Sequence, residues 1–190
     1  MKLAINASRA RSGGAYVHLI GLISKAVPIN SGINEIHLWC DKKLLKQIPN
    51  KTWLFKHSSK IANQPILIQL LWEKFYLPKI IKKNDCDFLL NIDAGSLCRF
   101  NPSITISRDM LAFEKKEANR FGFSKERLRQ FFLKRVQLNS LKNSNGIIFL
   151  TNYARKIIGE ELNSKKTYKI IPHGASDNFD NLNKKSNFKL

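Results

Sequence analysis

Apolar segments of strand type alternate with segments of helical periodicity from one end of this sequence to the other. The predicted strands are Lys2–Ala7, Glu35–Cys40, Thr52–Lys56, Asp87–Ile92, Ser103–Ser107, Gly146–Leu150 and Tyr168–Ile171. Apolar residues at helical spacing predict helices after Gly14, over Ile66–Lys82 with a kink or end at Pro78, from the N-cap Ser124 to about Lys142, and over Asn152–Leu162. Strands that alternate with helices form a parallel sheet covered on both faces. We therefore expect an α/β domain with a Rossmann-like, doubly wound, mostly parallel sheet.

The length of the chain, 190 residues, is that of one domain with a single sizeable core. We place this domain at residues 1–175, because residues 176–190 are rich in Asn, Asp, Lys and Ser without apolar periodicity, as in a linker or tail. The N-terminal residues lack the pattern of a signal peptide, and the longest apolar runs are too short to span a bilayer. We expect a cytoplasmic protein with at most peripheral contact to the inner face of the plasma membrane. Its three cysteines, Cys40, Cys86 and Cys98, are expected to stay reduced.

The balance of charge is strongly basic, since 33 Lys and Arg residues against 14 Asp and Glu residues give a formal net charge of +19. An excess of this size favours an anionic partner, such as nucleic acid, a nucleotide or the headgroups of an acidic membrane. Lysine, asparagine, isoleucine and phenylalanine are all abundant, however, and this bias also follows from an AT-rich genome without selection for a basic surface. The charge therefore permits an anionic partner but does not establish one.

Two consecutive glycines, Gly13 and Gly14, stand between the first predicted strand and the first helix. Glycines there let the backbone approach a ligand closely, and the helix N-terminus offers free N–H groups and a positive dipole end to phosphate. The pair equally suits a plain tight turn, because the sequence has neither a full dinucleotide-binding fingerprint nor the lysine of a P-loop. Gly13 and Gly14 are thus candidates for contact with a diphosphate, with a structural turn as the alternative.

A second polar group, Arg108 and Asp109, follows the fifth predicted strand, at the carboxyl edge where open α/β sheets bind ligands. An arginine and an aspartate at that position suit phosphate and sugar hydroxyls respectively. The alternative is a mutual salt bridge or a capping role for Asp109, and Glu114 in the same loop fits either interpretation. Asp85 and Asp87 precede a strand and therefore lie at the amino edge, so we interpret them as capping groups and expect no metal site.

Basic and aromatic residues are interleaved between residues 115 and 137. This pattern is typical of an interfacial amphipathic helix and of single-stranded nucleic-acid binding, and also of a helix whose aromatics enter the core. We favour the core for Phe131 and Phe132. The candidates for contact with an acceptor or a membrane are Phe121, Phe123, Lys115, Lys116 and Arg120. We interpret His173, which follows the last strand, as a hydrogen-bonded turn residue.

Four groups of residues occur in a definite order along the chain. They are Ser12-Gly13-Gly14 with His18-Leu19; Leu71-Trp72-Glu73 with Leu77-Pro78; Asp109 to Glu114 with Gly146–Thr151 and Tyr153-Ala154; and Ile171-Pro172-His173-Gly174 with Phe179. In this order and spacing they resemble the N-terminal domain of family 4 glycosyltransferases, retaining enzymes with the GT-B fold. The similarity covers nearly the whole chain, although each group by itself is a weak signal.

The resemblance implies the acceptor-side domain of a hexosyltransferase, which moves sugar from a nucleotide-sugar donor to a glycan or lipid-linked acceptor. The implied setting is polysaccharide, lipopolysaccharide or glycolipid assembly at the inner face of a membrane. It also implies no cofactor and no metal at the reacting centre, contact of Gly13 and Gly14 with the donor diphosphate, and catalytic roles for Arg108 and Asp109. Many family members have a His-Asp pair where this sequence has Arg108-Asp109, and an arginine there can still contact phosphate.

In this family a second domain holds the nucleotide and the sugar, and nothing after Phe179 in this sequence provides it. We therefore expect a truncated chain that is inactive alone, one that works with a separately encoded donor domain, or an inactive remnant. The alternative function is a non-enzymatic, basic Rossmann-like module that binds anionic membrane or nucleic acid. The glycine loop, Trp72-Glu73 and the ending Pro172–Gly174 favour the transferase, and nucleic acid is not the expected partner.

Overall fold

The computed structural model describes residues 1–10, 13–59, 61, 64–114, 122, 124–162 and 166–174. The strands are β1 (Lys2–Ala7), β2 (Glu35–Cys40), β3 (Leu54–Ser58), β4 (Phe88–Asn91), β5 (Ser103–Ser107), β6 (Gly146–Phe149) and β7 (Thr167–Ile170). The α-helices are α1 (Gly14–Lys25), α2 (Lys42–Gln47), α3 (Ile66–Phe75), α4 (Leu77–Lys83), α5 (Lys125–Asn143) and α6 (Asn152–Leu162). Short 3₁₀ turns lie at Pro28–Ser31 and Leu111–Phe113.

The strands form one seven-stranded parallel sheet in the order β3-β2-β1-β4-β5-β6-β7. In its register, Asn6 of β1 lies beside Trp39 of β2 on one side and Asn91 of β4 on the other. The chain runs outward from β1 to β3, crosses back, and then runs outward on the other side from β4 to β7. The predicted Rossmann-like, doubly wound sheet is therefore confirmed. The strand order reverses between β1 and β4, and ligands of open α/β sheets bind at the carboxyl ends of the strands at such a point.

Apolar side chains fill both faces of the sheet, because successive strand residues point to opposite sides. The core under α1 and α2 contains Leu3, Ile5, Leu19, Ile23, Leu38 and Leu44. The opposite face has a cluster under α4, formed by Ala4, Trp39, Leu77, Ile81 and Leu89, and a cluster under α5 and α6, formed by Leu141, Ile147, Phe149 and Ile158. Burial of each larger side chain contributes about 1.5–3 kcal/mol to folding. These cores fix the strand ends and the loops that follow them.

The helix predicted over Ile66–Lys82 is divided into α3 and α4, which meet at Tyr76. Pro78 lies in the first turn of α4, where its missing N–H group costs no hydrogen bond. In a continuous helix Pro78 would remove a hydrogen bond and clash with the carbonyl group of Lys74. The kink or end predicted at Pro78 therefore has the expected cause.

The inward faces of α3 and α5 differ from their prediction. The buried side chains of α3 are Gln69 and Glu73, whereas Leu71 and Phe75, two of the apolar residues whose helical spacing predicts this helix, are 55% and 51% exposed. Polar partners on neighbouring loops hold α3 in this orientation, as the site geometry below shows.

In α5, Phe131 and Phe132 were expected in the core but are more than half exposed. The inward contacts of α5 come from its C-terminal half, where Gln137, Ser140 and Leu141 are buried.

Groups at the amino edge and in the core have structural roles. Asp87 accepts a hydrogen bond from Lys2 N at 2.6 Å, which is a capping contact at the start of β1. Cys40, Cys86 and Cys98 are free and buried. Burial raises the pKa of Cys40 to about 12 and that of Cys86 to about 11, so these thiols stay protonated at neutral pH.

The predicted tail, residues 176–190, and the domain boundary at residue 175 lie outside the described residues. Within the part of the chain that is described, none of the helices combines the length and the apolar character needed to cross a bilayer.

Candidate functional site

The first element of the site is the N-terminus of α1, at the carboxyl edge of the sheet. Gly13 is the N-cap residue, and its φ of +69° lies in the left-handed region that glycine adopts without strain. Within the described residues no side chain caps this helix, and no heavy atom lies within 4 Å of the place that a Cβ on Gly13 would take. Tyr16 N and Val17 N donate to Gly13 O at 3.1 and 3.3 Å, so the N–H groups at the start of α1 that lack a partner inside the helix, and are available to an anion, are those of Gly14 and Ala15.

The second element is Arg108, which follows β5 and lies against the start of α1. Its Nη2 is 3.6 Å from the place that a Cβ on Gly14 would take. Its Nε and Nη1 are buried and have no hydrogen-bond partner in the described part of the chain. Burial lowers the pKa of Arg108, and the Asp93 carboxylate opposes that effect. Buried N–H donors without partners are costly, so Arg108 and the α1 N-terminus together have the properties of an anion-binding site.

Two histidines from distant parts of the chain complete this group. His18 of α1 and His173 after β7 have their Nδ1 atoms 3.0 Å apart and their ring centroids 4.3 Å apart, in an edge-to-face arrangement. Burial lowers the pKa of His18, with His173 and then Arg108 as further causes. Burial and then Arg108 lower the pKa of His173. Both rings are therefore neutral at pH 7, one donating and the other accepting, and an anion beside them favours their protonation.

The catalytic candidate Asp109 is exposed and starts the 3₁₀ turn Leu111–Phe113. Its Oδ1 accepts a hydrogen bond from Leu111 N at 2.9 Å, so Asp109 has the capping contact that the sequence left open as an alternative. Glu114, in the same loop, accepts a hydrogen bond from Tyr153 Oη at 2.8 Å, and this bond raises the pKa of Tyr153. These contacts fix the loop that joins Arg108 to the rest of the domain.

A buried carboxylate, Glu73 of α3, connects the loop after β1 to the loop after β4. Glu73 is 1% exposed and accepts hydrogen bonds from Ser8 Oγ at 2.8 Å and Leu97 N at 3.1 Å. Arg9 Nε lies 3.8 Å from Glu73 Oε1, and Arg9 Nη2 lies 3.5 Å from Asp93 Oδ2. Glu73 was predicted only as part of a motif, and the structure shows that it holds together two loops of the carboxyl edge.

Amide and hydroxyl side chains continue this network across the sheet. Asn6 Nδ2 donates to Asn91 Oδ1 at 3.1 Å and to Ser96 Oγ at 2.9 Å, and Asn91 Nδ2 lies 3.4 Å from Thr105 Oγ1. The cavity beside this network has a volume of about 30 Å³, which holds one or two water molecules but no nucleotide. A ligand at the carboxyl edge must therefore lie above the network, at Arg108 and the start of α1.

The structure brings some of the predicted site residues together and leaves others apart. Gly14 and Arg108 meet, and Gly13 is the N-cap residue before Gly14. Asp109 follows Arg108 but caps the 3₁₀ turn. His18 and His173, which the sequence did not predict as site residues, contact each other beside them. The candidates for acceptor or membrane contact, Phe121, Phe123, Lys115, Lys116 and Arg120, lie outside the described residues. A larger, open cavity between α6 and β7, of about 620 Å³, contains none of the predicted site residues.

Comparison with known proteins defines the fold further. No protein-family model matches the chain, and no curated protein matches its sequence. Anabaena Alr3699/HepE in complex with UDP matches with a TM-score of 0.52 and 16% identity over 94% of this chain and 45% of that chain. The same protein in complex with UDP-glucose matches with a TM-score of 0.52 and 16% identity, over 93% and 44% of the two chains. The apo form of the lipopolysaccharide outer core galactosyltransferase WaaB matches with a TM-score of 0.53 and 15% identity, over 93% and 46%.

These matches show that the domain has the fold of one half of the GT-B glycosyltransferases. The chain spans less than half the length of the solved chains that it resembles. At an identity of 15–16% the similarity is one of fold, so the role of the site has to be argued from its own chemistry.

Proposed function

We propose that the chain is the acceptor-side domain of a retaining glycosyltransferase that moves a sugar from a nucleotide-sugar to a polysaccharide or glycolipid acceptor. The observation that carries this proposal is the placement of Arg108, whose buried Nε and Nη1 groups have no partner among the described residues, against the N-terminus of α1, which no described side chain caps. In a domain with the fold of half a GT-B enzyme, a diphosphate is the anion that this position suits.

The chemistry of transfer explains what an anion site does here. The bond between the sugar C1 atom and the diphosphate oxygen breaks, and negative charge develops on the departing phosphate. A guanidinium and a helix N-terminus that are already in place stabilise that charge more strongly than they stabilise the intact donor, which lowers the barrier. Arg108 acts on the phosphate in this account. A role of Asp109 on a sugar hydroxyl stays a prediction from the sequence, because its Oδ1 caps the 3₁₀ turn.

The rest of the reaction requires groups outside the described site. This domain has the fold of one half of the GT-B architecture, and the nucleoside would be held by the other half. The acceptor would meet the segment with Phe121, Phe123, Lys115, Lys116 and Arg120, which remains a prediction from the sequence.

The test is a substitution in the gene in its natural setting, so that any further domain or neighbouring gene product is present. Arg108→Gln should remove one sugar addition from the cellular glycolipids or polysaccharides, measured by mass spectrometry of the extracted glycans. Arg99→Gln, at an exposed position, is the matched control and should leave the glycans as in the wild type. An Arg108→Gln strain with unchanged glycans and normal protein levels would contradict the proposal.

A further inference from the structure

Helix α3 and the residue after it expose six large hydrophobic side chains. Their exposed fractions lie between 46% and 70%. They are Ile66, Leu67, Ile68, Leu71, Phe75 and Tyr76, and together they are called the α3 surface. A cluster of large apolar side chains exposed on a folded domain marks an interaction site.

The orientation of α3 is fixed from the inside by polar contacts, together with Trp72, which packs partly buried against the cluster under α4. Glu73 accepts hydrogen bonds from Ser8 Oγ and Leu97 N, and Gln69 is also buried. Rotation of α3 to bury Leu67 and Leu71 would break the Glu73 bonds and expose the loops that they join. The fold therefore presents the α3 surface outward.

The exposed charged side chains of α3 and α4 are all lysines. Lys74, Lys79, Lys82 and Lys83 are exposed on α3 and α4. The acidic residue between positions 64 and 84 is Glu73, which is buried. Lys74 Nζ lies over the Phe75 ring, 5.0 Å from its centre, so this ammonium group makes a cation–π contact at the edge of the apolar residues.

We propose that the α3 surface docks on an anionic lipid bilayer. Apolar side chains enter the boundary between headgroups and acyl chains, Tyr76 lies at that boundary, and the lysines contact anionic headgroups. A bilayer supplies both partners for this pattern, whereas a protein partner would need an apolar groove with acidic groups at matching places. The proposal is independent of the glycosyltransferase proposal.

One structural consequence connects the α3 surface to the carboxyl edge. The helix that carries the exposed leucines also carries Glu73, which bonds to the loops after β1 and β4. A bilayer docked on α3 therefore lies beside the strand ends where Arg108 is found. A lipid-linked substrate would reach the site from the membrane without leaving it.

The test is flotation of the 190-residue chain with vesicles, compared between two double variants of equal charge. Wild-type protein should bind vesicles of phosphatidylglycerol and phosphatidylcholine, and bind pure phosphatidylcholine vesicles much less. Leu67→Glu with Leu71→Glu should weaken binding about tenfold or more, because two inserted side chains are lost. Val27→Glu with Ile29→Glu, at positions after α1 that are 59% and 65% exposed, changes the charge equally and should change binding less than about threefold.

The lysines give a second, electrostatic readout. Lys74→Gln and Lys79→Gln should each weaken binding to anionic vesicles about fivefold, with binding that falls as salt rises. Circular dichroism should show wild-type secondary structure in every variant, and Leu67→Asn with Leu71→Asn replaces the glutamate pair if that pair unfolds the protein.

Three outcomes would overturn the proposal. Wild-type protein that does not bind anionic vesicles has no bilayer-docking surface. Equal losses in the α3 double variant and in the Val27 and Ile29 double variant would mean that charge alone, and not the α3 surface, determines binding. A wild-type dimer that the α3 variant converts to a monomer, with vesicle binding unchanged, would assign the surface to a second copy of the chain.

Discussion

Helices α1 and α3 have similar apolar sequences and opposite relations to the core. In α1, Leu19 and Ile23 are buried under the sheet, and no side chain in the described part of the chain caps the N-terminus. In α3, Gln69 and Glu73 are buried, and most of the large apolar residues face outward. Both helices contribute to the same edge of the sheet.

The difference shows two ways to orient a helix. Helix α1 is oriented by burial of apolar area, which contributes about 25 cal/mol per Å². Helix α3 is oriented by a buried carboxylate whose unpaired state would be more costly than leaving leucines in water. A helix that is oriented by a buried carboxylate, like α3, keeps an exposed apolar face for a partner.

The largest expected difference between the two helices is in how much a leucine-to-alanine substitution lowers the free energy of unfolding. Leu19→Ala removes a fully buried side chain and should lower the free energy of unfolding by about 2–5 kcal/mol. Leu67→Ala, at a position that is 70% exposed, should change it by less than about 0.5 kcal/mol. Urea denaturation measures both. Similar losses for the two variants would mean that α3 packs through its apolar face.

The buried carboxylate provides the converse experiment. Glu73→Ala leaves Ser8, Leu97 N and Arg9 without their partner and should cost about 2–3 kcal/mol. Glu73→Gln keeps a hydrogen-bond acceptor at the same place and should cost less than Glu73→Ala. An alanine variant as stable as the wild type would remove the argument for the orientation of α3.

The sequence predicts what local patterns determine. Apolar runs locate the strands, and the alternation of strands and helices predicts the sheet, because both depend on residues close together in the chain. Local patterns do not predict which face of α3 is buried, because Ser8 and Leu97, the partners of Glu73, are 65 and 24 residues away in the sequence. The contact of His18 with His173 spans 155 residues and depends on strand order. Arg108 was found because a charged residue after a strand is a local signal.

Substitutions at the start of α1 should lower the free energy of unfolding less than Leu19→Ala does. Gly13→Ala places a Cβ at φ +69° and should cost about 1–2 kcal/mol. Gly14→Ala brings its Cβ to an ordinary contact distance, 3.6 Å from Arg108 Nη2, and should change stability by less than about 0.5 kcal/mol. Thermal unfolding of the two variants tests this order, and a larger loss for Gly14→Ala would mean that Arg108 has no room to move.

The histidine pair predicts a modest dependence of stability on pH. The pKa values of His18 and His173 are lowered in the folded protein, mainly by burial, so the unfolded chain binds more protons just below pH 6.5. Their contribution is fully present above pH 6.5 and is lost as the pH falls through the lowered pKa values. His18→Asn with His173→Asn should flatten this part of the profile in denaturation between pH 5 and pH 7. A double variant with an unchanged profile would assign the dependence to other groups.

The central claim, that Arg108 and the α1 N-terminus bind a diphosphate, is tested most directly by NMR titration of the 190-residue chain with pyrophosphate and with UDP. The account predicts shifts of the Gly13, Gly14 and Ala15 amide signals that grow stronger as the pH falls from 7 to 6, because an anion favours protonation of His18 and His173. Arg108→Gln should weaken binding about tenfold or more, and Arg99→Gln should leave it unchanged. Shifts that are absent from the start of α1, or that persist unchanged in Arg108→Gln, would contradict the claim.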